Sequence, residues 1–91
     1  MKIDFDGVQA FVLVAELGGF NKAAEQLHIT QTALTRRIQK LEAYLGLKLL
    51  ERLGRGLKPT AAGSLLLDHA EHIQTAVDQA QQALASHGET V

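Results

Sequence analysis

Between Phe20 and Gly46 the chain reads FNKAAEQLHITQTALTRRIQKLEAYLG, and no other stretch constrains the fold as much. Its apolar residues recur at helical spacing on both sides of a break at His28 and Ile29. Asn21 is placed to cap a short helix that runs through Leu27 and turns Ala23, Ala24 and Leu27 inward, small alanines allowing a neighbouring helix to come close. Thr30 is placed to cap the next helix, whose Leu34, Ile38, Leu41 and Leu45 form one buried stripe. Gly46 is a good left-handed terminator for it. The opposite face of that helix carries Gln31, Thr32, Thr35, Arg36, Gln39 and Lys40, all hydrogen-bonding residues with no acid among them. Two helices joined by a tight turn, the second with such a face, suit a helix laid across a DNA backbone and a helix set in the major groove. A purely structural three-helix bundle shares the periodicity, and on this ground alone it stays open.

The flanks extend the pattern. Asp4 can cap a first helix whose Phe5, Val8, Phe11, Val12 and Ala15 face inward, with Gly18 and Gly19 ending it. After Gly46, Leu47, Leu49 and Leu50 suggest a short strand, and Gly54 to Thr60 (GRGLKPT) offers a turn and a second strand stopped by proline. This predicts a two-stranded wing with Arg52 and Arg55 near its tip. Thr60 then caps a long last helix from Ala61 to about Ser86, leaving SHGETV as a frayed tail. On that helix Leu66, Ala70, Ile73, Val77, Ala80 and Leu84 alternate spacings of four and three, a heptad seam that calls for a partner helix. The seam predicts a homodimer through the last helix; the alternative is that the helix folds back on its own domain.

Charge sharpens the division. The net charge of −1 hides an uneven distribution, because all nine Lys and Arg lie between Lys2 and Lys58 while residues 61 to 91 hold four acids and no cation. A basic head with an acidic tail predicts that only the head meets phosphate. We therefore divide the chain into a winged helix-turn-helix domain over residues 1–59 and a linker or dimerisation helix with a frayed end over residues 60–91. The expected class is mainly α: three helices plus a two-stranded wing, then a long helix.

Chemistry of other kinds finds little footing. With 91 residues and no Cys, the chain supports one modest core, no disulfide framework and no thiolate metal site, as expected of a cytoplasmic protein. The apolar clusters are far shorter than the roughly 20 residues a membrane span needs. His69 and His72 sit three apart beside Asp68 and Glu71, but ordered zinc needs three or four converging ligands, so no metal is expected. His28 lies in the turn and is expected to be partly buried there. Neither Ser64 nor Ser86 lies on a nucleophile elbow, and there is no phosphate-cradling glycine loop, so neither an enzyme nor a cofactor is expected.

The run AAEQLHITQTALTRRIQKLEAYLGLKLLER, followed by GRGLKPTAAG, resembles the amino-terminal DNA-binding domain of LysR-type transcriptional regulators. The resemblance covers residues 3 to about 88 and rests on a specific order: Phe20, Ala23–Ala24, Leu27, Thr30–Gln31, Leu34, Arg36, Leu41–Glu42, Leu45–Gly46, Leu49, Glu51–Arg52, Thr60 and Gly63. The chain departs from the family at Thr32, where proline is frequent, at Leu53, where a small polar residue is common, and at Ala61–Ala62, which replaces an acidic or proline-containing pair. The resemblance implies sequence-specific binding of a palindromic duplex site as a homodimer. It also implies a longer parent protein with an effector domain that binds a small co-inducer.

Site residues carry over one position at a time. Gln31, Thr32, Thr35 and Arg36 match family positions that face base edges. Gln pairs with adenine, Arg with guanine and a Thr methyl with thymine, each good pair giving about 1–3 kcal/mol of discrimination. For Arg36, phosphate contact or a solvated face is the alternative. Asn21, Lys22 and Thr30 at helix starts, with Arg37 and Lys40, read as backbone contacts that position without specifying. Arg55 matches a position that enters the minor groove, the alternative being a mobile loop cation. Arg52 has a mixed reading, between backbone contact and pairing with Glu51 or the recognition helix. The competing function is a winged-helix module whose third helix docks on another protein.

Overall fold

Asp4 begins the first helix as its side chain suggests: its carboxylate accepts the Asp6 N–H at 3.1 Å, and α1 follows over Phe5–Leu17 with Gly18 as its left-handed C-cap. The structure, a computed structural model, describes residues 3–89. After α1 come α2 (Phe20–Leu27), α3 (Gln31–Leu45), β1 (Leu50–Leu53), β2 (Gly56–Pro59) and α4 (Ala61–Glu89). The strands form one antiparallel pair, Leu50 facing Pro59 and Leu53 facing Gly56. This is a three-helix unit with a wing, followed by a long helix.

Three local expectations need correction. The cap of α2 is Gly19 in extended backbone, with no side-chain hydrogen bond, because the helix starts at Phe20 and Asn21 already lies within its first turn. In α1 the buried residues are Gly7, Val8, Ala10, Phe11 and Val14, whereas Phe5 is exposed and Val12 and Ala15 only half-buried. A helix packed by α2 and α3 on one side and by α4 on another buries a wider face than one apolar stripe marks. The strand begins at Leu50, after the expected Leu47 and Leu49: Leu47 is exposed, and Leu49 is buried in the core.

Phe11, Val14, Leu34, Leu41 and Leu49 are the largest fully buried side chains. At about 1.5–3 kcal/mol for each large apolar side chain removed from water, they dominate the stability of the head. Leu49 matters twice, because it ties the root of the wing to the helices. A lone two-stranded hairpin is marginal in water, and this one is held from its base. Glu42 Oε2 accepts the Leu49 N–H at 2.7 Å, the Thr60 hydroxyl donates to the Lys48 carbonyl at 2.6 Å, and the Thr60 N–H donates to the Leu49 carbonyl at 3.0 Å. The end of α3 and the start of α4 thus grip the same two residues from opposite sides.

Thr60 also performs the expected capping, its Oγ1 accepting the Gly63 N–H at 3.0 Å. Gly63 is buried, and a β-carbon there would lie 2.1 Å from the Leu49 carbonyl oxygen and 3.2 Å from Phe11 Cζ. Only a glycine lets α4 come this close.

The last helix runs 29 residues, through Glu89, past the expected end near Ser86. Of the expected frayed tail, Thr90 and Val91 lie outside the described residues. Its first turns belong to the head: Ala70 is in the core, and Leu66 and Leu67 pack against it. From Glu71 to Gly88 every residue is exposed. The heptad seam is therefore divided, Leu66 and Ala70 already covered by their own domain, Ile73, Val77, Ala80 and Leu84 uncovered. The molecule measures 54 × 27 × 20 Å. Among the described residues, no helix is long and apolar enough to cross a membrane.

Candidate nucleic-acid interface

The turn between α2 and α3 is built from backbone bonds that local chemistry supplies. His28 takes the left-handed conformation at φ 58°, the Ile29 N–H donates to the Ala24 carbonyl at 3.1 Å, and Thr30 Oγ1 accepts the Ala33 N–H at 3.0 Å. The chain therefore turns in three residues and restarts as a helix. His28 is exposed rather than partly buried, since an αL terminator carries its side chain outward while the half-buried Ile29 fills the corner. Beneath the turn, Ala23, Ala24 and Leu34 lie in one buried cluster.

That packing decides which side of α3 is free. With Leu34, Ile38 and Leu41 buried, Gln31, Thr32, Arg36 and Lys40 are exposed and Thr35 and Arg37 half-buried. The spacing of Gln31, Thr32, Thr35 and Arg36 places them together on the first two turns, away from the core. Arg37 lies to one flank, where its backbone carbonyl faces Gly7 of α1. Asn21 and Lys22, in the first turn of α2, are exposed, and the Asn21 carboxamide meets that of Gln31. This link between the two helix starts is a feature that helical periodicity cannot reveal.

The wing adds a second basic element. Leu53 and Gly56 close the hairpin around Gly54 and Arg55, and Gly54 has φ 56°, at the first central position of a two-residue loop where glycine is favoured. Arg55 stands exposed at the tip, and Arg52, opposite Leu57, is exposed on β1. Of the two readings of Arg52, its pairing with Glu51 or α3 is not made among the described residues. Glu42 is half-buried and lies 3.8 Å from Lys48 Nζ, besides holding the Leu49 amide. Among the described residues, no ion pair joins an acid to a cation of α3 or the wing.

Lys22, Arg36, Arg37, Lys40, Arg52 and Arg55 offer a surface that can neutralise phosphates, and the first turns of α3 offer donors and acceptors that can read base edges. Glu42 and Thr60, which sequence reasoning did not single out as holding the wing, set the wing relative to α3. Their only signal was a place in the family-like residue order. Among the described residues, no group of three or more His, Cys, Asp and Glu could hold a metal ion.

Residues 5–64 match the family model described as bacterial regulatory helix-turn-helix protein, lysR family. Over 82 residues the chain is 46% identical to the HTH-type transcriptional regulator TfdT of Cupriavidus pinatubonensis (strain JMP 134 / LMG 1197), covering 88% of this chain and 36% of that protein. It is 38% identical over 89 residues to the nitrogen assimilation regulatory protein nac of Escherichia coli (strain K12), covering 98% of this chain and 29% of that protein. The fold superposes on the crystal structure of a BenM_DBD/catB site 1 DNA complex with TM-score 0.86 and 37% identity, over 92% of this chain and 93% of that one. For a CbnR_DBD–DNA complex the values are 0.82 and 37%, over 94% and 99%.

Proposed function

We propose, from the premise that this chain belongs to the lysR family of bacterial regulatory helix-turn-helix proteins, that it binds double-stranded DNA sequence-specifically and regulates transcription by occupying its site. Residues 1–59 make the contact, with α3 in the major groove and the wing in the minor groove. Residues 60–91 pair two copies on a palindromic site. The observation that carries this reading is the exposed, acid-free outer face of α3, together with an exposed basic wing tip, on a fold shared with DNA-bound domains. Gln31, Thr32, Thr35 and Arg36 read bases, Arg55 enters the minor groove, and Asn21, Lys22, Thr30, Arg37, Lys40 and Arg52 meet the backbone. The site of action is the cytoplasm, and the action is occupancy rather than catalysis. The chain spans 36% of the length of one curated relative and 29% of another, and effector sensing, with a co-inducer bound by another domain, is proposed only for a longer parent protein.

The test is duplex affinity as a function of salt. If about six phosphates are neutralised, affinity falls roughly a thousandfold or more between 50 and 200 mM monovalent salt, with a log–log slope near −5. Weak binding that salt leaves unchanged would instead favour docking of α3 on another protein.

Specificity and affinity should separate by residue. Arg36→Ala is expected to relax the preference at one base pair by about 1–3 kcal/mol, whereas Lys40→Ala weakens all duplexes alike and lowers the salt slope by about one. Titration of selected and random duplexes checks both. Equal losses on the two duplexes for Arg36→Ala would remove its base-reading role.

A further inference from the structure

We propose that Glu42 is a positioning residue for the wing: by holding the Leu49 N–H it fixes where Arg55 meets the duplex, and so determines how strongly the protein selects a narrow, A·T-rich minor groove beside the bases that α3 reads. The inference rests on the minor-groove role given to Arg55 above. Three backbone amides between α3 and β1 end on this one residue. Its carbonyl accepts the Gly46 N–H at 2.8 Å and the Leu47 N–H at 3.2 Å, closing α3. Its Oε2 accepts the Leu49 N–H at 2.7 Å, at the entry to β1. Glu42 thus joins the helix assigned to the major groove to the root of the hairpin assigned to the minor groove.

Helix stability does not account for a carboxylate at this place. Glu42 lies in the last turn of α3, where the helix dipole disfavours negative charge. Nor does its ion pair account for it: Lys48 Nζ is 3.8 Å away on a side chain 81% exposed, and such surface pairs contribute little. What the carboxylate supplies is a charge-assisted acceptor for the amide of Leu49, a residue 1% exposed whose N–H would otherwise lose its partner away from water. The carbonyl of Leu49 accepts the Thr60 N–H at 3.0 Å, so the hairpin is pinned on both sides of its root. Lever length makes the pin matter. The five residue steps from Leu49 to Gly54, at about 3.3 Å each, extend the wing by roughly 16 Å. A tilt of about 10° at the root then moves the tip by roughly 3 Å, the full length of a hydrogen bond.

The experiment uses the 91-residue chain and a duplex selected from a random pool, with A·T and G·C pairs exchanged one position at a time inside and outside the part that α3 reads. Arg55→Ala should lower the A·T preference at flanking positions about tenfold, the lower part of what one base pair is worth. Glu42→Ala should lower it by most of the same factor and leave the preferences at positions read by α3 intact. Glu42→Gln, whose side-chain oxygen can still accept the Leu49 N–H, should retain the flanking preference. Glu42→Asp keeps the charge but is one methylene shorter; it should lose the preference as alanine does, and stands in for it if Glu42→Ala fails to fold. If the shortened variants keep the flanking preference that Arg55→Ala loses, Glu42 only closes α3 and the inference is overturned alone. Equal losses at flanking and α3-read positions, or a loss in Glu42→Gln as large as in Glu42→Ala, would overturn it too, the first as general loosening and the second as an effect of charge. If Arg55→Ala changes no flanking position, the minor-groove reading fails and this inference with it.

Discussion

Gly63→Ala is expected to destabilise the head by about 3 kcal/mol, the upper part of the range for overpacking a well-filled core. On propensity alone the change should help, since alanine is favoured over glycine within a helix by roughly 0.5–1 kcal/mol. Sterics reverse the sign, because the added carbon would sit 2.1 Å from the Leu49 carbonyl oxygen and 3.1 Å from its carbon. Nor can that carbonyl retreat easily. Leu49 is 1% exposed, its N–H is held by Glu42 at 2.7 Å, and its oxygen accepts the Thr60 N–H at 3.0 Å. Relief therefore requires α4 to lift from the core, loosening Ala70 and the root of the wing together. Urea unfolding should show a lower midpoint with an unchanged slope. Gly88→Ala is the matched control: nothing lies within 4 Å of its added carbon, so stability should hold or rise slightly. Equal stability for wild type and Gly63→Ala would contradict the close approach of α4 to Leu49.

Charging the uncovered half of the last helix should have the larger effect on binding. The double change Ile73→Glu with Val77→Glu is expected to give monomers and to weaken binding to a two-half-site duplex by about a hundredfold or more, since linking two half-site contacts raises avidity by that order. Binding to a single half site should hardly change. The reason lies in the division of the seam. Leu66 and Ala70 are engaged with their own core, whereas Ile73 is 44%, Val77 36% and Leu84 70% exposed. Helical stability comes mainly from packing of an apolar face, so a stretch from Glu71 to Gly88 without tertiary cover gains most from a second helix. Sedimentation and titration of both duplexes test this. An unchanged mass together with full two-site affinity would assign the seam to another use.

Legibility in the sequence follows the range of the interaction. The Asp4, Thr30 and Thr60 caps, the Gly18 and Gly46 terminators, the wing ended by Pro59 and the Leu34–Ile38–Leu41 stripe all come from bonds or periodicities within a few residues. Each was readable without the fold. The misses share the opposite character. Asn21 is chemically a good cap, but α2 already starts at Phe20, and a side chain on the neighbouring helix start draws no signal from sequence spacing; the Asn21 carboxamide meets Gln31 instead. Ala10 and Val14 are buried where Phe5 was expected because α1 is packed on more than one side. His28 looked enclosed by its turn, yet the left-handed backbone turns it outward.

The proposed interface divides in the same way. Which face of α3 is polar, acid-free and basic is a property of the residue order, and so is the concentration of every cation before residue 59. Tertiary structure alone decided that Glu42 and Thr60 hold the wing, that Gly63 admits α4 against Leu49, that Asn21 reaches Gln31, and that the seam on the last helix is half consumed by its own core. Caps, turns and periodic faces are encoded by neighbours along the chain, whereas these arrangements join different elements, seven residues apart for Glu42 and Leu49 and twelve for Lys48 and Thr60, and are set only when the core closes around Phe11, Leu34 and Leu49.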